Sequence, residues 1–98
     1  MILELGEVKT WLREDSDDPL VIQQIELIMG AAETYLKNAT GRKYDNTNSL
    51  AKLYCLVLCA DWYENRELIG SQPSDKVRFT IQSMTAQLQY CEEEETTS

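Results

Sequence analysis

The chain has 98 residues, of which 17 are acidic and 9 basic, with no histidine and a formal net charge of -8. That length fits one small domain with little apolar area to spare for a deep pocket, and the acidic balance denies a polyanion the broad basic footprint of a nucleic-acid binder. The longest apolar run falls well short of the ~20 residues that cross a bilayer, and the first residues are acidic where a signal peptide is basic, so a soluble, untargeted protein is expected.

Leu3, Leu5, Val8, Trp11 and Leu12 recur at three- and four-residue steps. They predict a short amphipathic helix over Leu5 to Arg13 with this face turned inward. It ends at Glu14-Asp15-Ser16-Asp17-Asp18-Pro19. Carboxylates there accept from free backbone N–H groups and suit the positive end of a helix dipole, while Pro19 fits a first turn that has no use for its missing donor. Asp18 is the expected cap.

From Val21 the apolar stripe continues through Ile25, Ile28, Ala32, Tyr35 and Ala39 to Thr40-Gly41. A long second helix follows, with Gly41 in the left-handed cap position and Lys37, Arg42 and Lys43 complementing the carbonyl end. Gly30, Ala31 and Ala32 form a thin waist that another helix can approach closely.

Asp45 to Ser49 is a polar connector with capping residues at its end. Leu50 to Ile69 then predicts a third helix capped by Gly70. Its first half is apolar nearly all round apart from Lys52, so it needs cover on more than one side, from other helices or from another subunit. After a loop at Ser71 to Asp75, the stripe Val77, Ile81, Met84, Leu88 and Cys91 predicts a fourth amphipathic helix, although Val77 to Ile81 also fits a short strand. The reading is all-α: a small bundle of about four helices over residues 1–91, followed by a mobile acidic tail over residues 92–98.

Functional chemistry is sparse. Asp15, Asp17 and Glu26 fall at positions one, three and twelve of a calcium loop, but Leu20 and Pro19 stand where that loop needs glycine and a ligand, so capping explains the acids better. Cys55 and Cys59 lie one helical turn apart; with no histidine and only Cys91 besides, they read as core thiols of a reduced, intracellular protein. No base stands beside a nucleophile and no Gly-rich phosphate loop is present, so neither turnover nor a cofactor is expected. The polar segment Ala60-Asp61-Trp62-Tyr63-Glu64-Asn65-Arg66-Glu67 stands out. Trp62 and Arg66 are one turn apart, which allows the guanidinium to lie over the indole. Trp62, Tyr63, Asn65 and Arg66 are either a partly buried helix end or the anchors of a subunit or partner interface, since Trp, Tyr and Arg dominate binding energy when desolvated.

Taken together, Glu7-Val8-Lys9 with Trp11-Leu12-Arg13, the acidic turn Asp15 to Asp18, Ala31-Ala32 with Tyr35, Thr40-Gly41-Arg42, and Trp62 to Glu67 resemble the small phage head-tail connector (adaptor) family, also described as DNA-packaging proteins. Two departures stand beside the likeness: Asp61 precedes the tryptophan where relatives often carry histidine, and Cys91 follows Tyr90 where they tend to carry arginine. The resemblance implies a homo-oligomeric ring of about a dozen subunits beneath the portal protein, with a tail-completion protein as a further partner. It implies location in the virion at the head-tail interface, and in the host cytoplasm during assembly. Trp62, Tyr63, Asn65 and Arg66 would then face a neighbouring subunit or the portal, and the acids Asp15, Asp17, Glu92 and Glu93 would face a channel through which DNA passes without sticking. A small acidic regulator that binds a host protein or mimics DNA is the alternative.

Overall fold

The computed structural model describes residues 2–97 apart from 45 and 46, and for residues 90–97 the course of the backbone only. Four helices follow in order: α1 Leu5–Leu12, α2 Pro19–Thr40, α3 Ser49–Glu64 and α4 Asp75–Thr97, with a short 3-10 turn at Arg66–Leu68. Among the described residues there is no strand, so Val77 to Ile81 is helical, and no helix is long and apolar enough to cross a membrane.

Local chemistry sets the helix starts. Glu7 Oε1 accepts the Glu4 N–H at 3.1 Å ahead of α1. Asp18 Oδ1 accepts the Leu20 N–H at 2.9 Å ahead of α2, and Asn48 Oδ1 accepts the Ala51 N–H at 3.0 Å ahead of α3, each satisfying an orphan donor. Two ends are set by left-handed residues. Gly41, at φ 74, returns its N–H to the Lys37 carbonyl at 2.7 Å, and Arg13 ends α1 at φ 59 one residue earlier than the sequence pattern suggests.

α3 is the axle of the bundle and packs against α1, α2 and α4. Ala51, Tyr54, Cys55, Leu58, Cys59 and Trp62 are all fully buried, against Ile25, Ile28, Met29, Ala32 and Leu36 from α2 and Ile81, Met84 and Leu88 from α4. Val8 and the lead-in residues Ile2 and Leu3 close the remaining side. The all-round apolarity of α3 is therefore answered largely within one chain, by three helices, without calling on a second subunit. Burial pushes the thiols of Cys55 and Cys59 up, the latter to about 12, with Glu33 nearby adding to the effect in both. Both stay protonated and serve as small core hydrophobes.

Besides the end of α1, three features differ from those expected. α3 stops at Glu64 rather than at Ile69: Asn65 leaves the helical region at φ -121, ψ 71, with its backbone N–H and its side-chain amide both returned to the Asp61 carbonyl, and the chain tightens into the 3-10 turn. Gly70, at φ 79, consequently closes that turn and does not cap α3. At the other end, α4 keeps a helical backbone to Thr97, past the boundary expected at Cys91. Glutamate is a good helix former, and extending an existing helix adds one hydrogen bond per residue, so a helical backbone course agrees with the composition of this segment.

Candidate functional site

The Asp61 to Glu67 segment is a joint inside the molecule. Asp61 is buried, and its carboxylate accepts the Ser74 N–H at 2.8 Å, the Ser74 hydroxyl, and the Asn65 amide at 3.3 Å. Ser74 is the residue before α4, so one carboxylate at the end of α3 holds the first turn of the next helix. A buried charge is tolerable only when hydrogen-bonded in this way. Trp62 is fully buried: its indole N–H donates to the Gln72 carbonyl at 2.9 Å, and its ring meets Tyr35 edge-on, with centroids 5.9 Å apart at 80°.

Of the four residues expected at an interface, Trp62 thus lies in the core. Asn65 is half-buried with its amide turned to Asp61. The arginine stacking also changes ring, since the Arg66 guanidinium lies 5.5 Å from the centroid of Tyr63 and not over Trp62. Tyr63 is half-buried and its hydroxyl donates to Glu14 Oε2 at 2.7 Å, tying the α1–α2 connection to α3. That bond, followed by the Ser16 N–H, holds the Glu14 carboxyl below the usual 4.5, and it pushes the Tyr63 phenol above 10.0. Arg66 is exposed.

The acids expected along a channel are placed only in part. Asp15 and Asp17 are exposed on the α1–α2 connection, where Asp17 pairs with Lys9 at 3.2 Å. Glu7 pairs with Lys52 across α1 and α3, and that contact, with the Glu4 N–H, lowers the Glu7 carboxyl below its ordinary value. The side chains of Glu92 and Glu93 lie outside the described residues.

The uncovered surface lies elsewhere. Leu20 and Leu27, seven residues apart on α2, are 71% and 63% exposed. Beside Leu27 runs a shallow groove of about 730 Å³ floored by Gly30 and Ala31 and bounded by Tyr35 and by Gly70 and Ser71. A Cβ built on Gly30 meets nothing within 4 Å, so this part of the expected thin waist is open, while Ala32 on the inward face is buried in the core. A second groove, about 760 Å³, lies between α1 and α3 and is lined by Gly6, Glu7, Thr10, Trp11, Arg13 and Leu56. Trp11 is 46% exposed there, outside the inward face expected for it, because the Val8 edge of α1 makes the core contact. Phe79 stands almost free on α4. The sequence signal for this surface was present but quiet: Leu20, Leu27 and Phe79 are apolar residues that fall off their helices' inward stripes.

A scan of protein-family models finds no match to this chain, and searches of curated proteins and of solved structures find none either.

Proposed function

We propose that this chain is a structural connector of a tailed phage, a helical protomer that joins copies of itself in a ring beneath the portal and lines part of the DNA path between capsid and tail. The observation that carries this reading is the pair of dissimilar grooves, each holding an exposed apolar side chain among polar ones. A closed ring is built from a heterologous contact, so each copy needs two different surfaces that meet front to back. The α2 groove at Leu27 and Gly30 and the α1/α3 groove at Trp11 and Leu56 are two such surfaces, made of different residues on different helices.

The charge balance fits the same role. A wall carrying a surplus of carboxylate releases no counterions to a passing duplex and gives it nothing to adhere to. Asp15 and Asp17, both exposed, contribute to that surplus. The sequence likeness to head-tail connectors supplies the portal and the tail-completion protein as partners. The buried joint at Trp62 keeps the protomer rigid while its grooves are filled. The role is mechanical, with no reaction.

The test is to combine the purified protein with the portal protein encoded in the same genome and examine the mixture by electron microscopy and native mass spectrometry. A closed ring coaxial with the portal is the expected result. Absence of any complex at every concentration tried, together with particles that join heads to tails without this protein, overturns the reading.

A further inference from the structure

We propose that the cleft at the carboxy-terminal end of α2 is the docking site for the run Glu92 to Glu95 of a second copy. The cleft, about 320 Å³, is lined by Lys37, Arg42, Lys43, Tyr44, Glu33 and Ile2. The chain has 9 basic residues, and most are already engaged. Lys9, Lys52, Lys76 and Arg78 each sit in an ion pair, and Arg66 lies over Tyr63. Among the described residues, Arg13, Lys37, Arg42 and Lys43 are in no ion pair, and the last three gather in this cleft.

Three cations against the single carboxylate of Glu33 leave this cleft positive in a molecule of net charge -8. Favourable placement at the carbonyl end of a helix accounts for Lys37, which lies in the last turn of α2. Arg42 and Lys43 follow the Gly41 cap and are both exposed. Their charge has no use inside the fold.

The complementary group is written in the same chain, as four consecutive glutamates at positions 92–95. The α4 backbone passes the rim of the cleft, where the Tyr44 hydroxyl donates to the Leu88 carbonyl at 3.5 Å. From there α4 continues as a helix to Thr97, and at ~1.5 Å per residue it carries positions 92–95 roughly 6 to 10 Å further along its axis. An acidic run on the last turns of one copy and a cleft of unmatched cations on another are complementary in charge, and a second copy is the occupant proposed. A duplex would meet the same three cations, but the surrounding acidic surface repels it. An acidic polypeptide is favoured over a nucleic acid.

This contact deepens the ring reading by naming one pair of surfaces that meet, and its test separates the two ideas. Equal amounts of unlabelled and nitrogen-15-labelled protein are mixed and treated with a carbodiimide, which joins a carboxylate to a lysine amine as an amide with loss of water. The expected products are peptides of mixed isotope content linking Lys37 or Lys43 to a glutamate at 92–95, with a yield that falls several-fold when salt is raised to about 0.5 M. Arg42→Glu lowers the yield at least ~5-fold with an unchanged helical spectrum, and adding Glu93→Arg restores it. Links confined to peptides of uniform isotope content, no links to the acidic run, or an Arg42-dependent complex with a ~20-base-pair duplex that protects the lysines would each overturn the proposal. Mixed links without portal binding leave the contact standing and remove the ring; a portal-bound ring without them does the reverse.

Discussion

At the end of α3, Asp61 and Trp62 have their polar groups hydrogen-bonded and their bulk enclosed, whereas on the outer face of α2 Leu20 and Leu27 stand in solvent, the latter beside a glycine with empty space over it. The first region uses the residue types that dominate interfaces, yet uses them to fasten one helix to the next. The second uses ordinary helix residues and leaves them uncovered. An aromatic or a charge marks a contact surface only when its polar atoms lack partners inside the fold.

Substitutions test that contrast through the stability of the isolated chain. Trp62→Ala removes the largest fully buried side chain and its bond to Gln72, and a loss of ~3 to 5 kcal/mol in urea unfolding is expected. A loss below ~1 kcal/mol would return Trp62 to the surface and break the comparison. Asp61→Ala strands the Ser74 N–H and hydroxyl, and ~1 to 3 kcal/mol should be lost, with α4 fraying first in hydrogen exchange. Gly30→Ala is the opposite case: the new methyl group enters open space, so the monomer should gain ~0.5 to 1 kcal/mol while assembly weakens. Assembly left unchanged would show the groove to be unused.

Smaller effects sharpen the picture. The Tyr63 hydroxyl holds the Glu14 carboxyl below its ordinary 4.5, so this bond stabilises the fold above that pH and its contribution is lost as pH falls through the lowered value. Tyr63→Phe should therefore be the less stable protein at neutral pH, and the gap to wild type should close in thermal melts taken well below pH 4.5. A gap that persists in acid would trace the loss to packing. Leu27→Lys should leave monomer stability within ~0.5 kcal/mol yet abolish ring formation on the portal. Unfolding by that change would put Leu27 in the core.

What could be read from the residues was local. Asp18 before Pro19 and Gly41 after Thr40 act within a few residues of themselves, and the α2 stripe at Ile25, Ile28 and Ala32 follows helical spacing, so each stands where the pattern puts it. The fate of Trp62 was not readable, because it depends on Tyr35 from one helix and Gln72 from a loop. The stop at Asn65 was hidden for a related reason: the polar residues there also fit a continuing helix, and the turn is settled by the burial of Asp61 and its bonds to Ser74, thirteen residues on. The grooves were hardest, since exposure of Leu27 or Trp11 is decided by which neighbours fail to arrive.

The Asp61 clamp on Ser74 has a rotational consequence. A helix turns about 100° per residue, so whichever residue is held at its origin fixes the azimuth of every side chain downstream. Moving that origin by one position would swing Phe79 a quarter turn or more toward its neighbours and carry Ile81 partly out of the interior. A single carboxylate at the close of α3 thus acts as the index mark from which the whole of α4 is aimed.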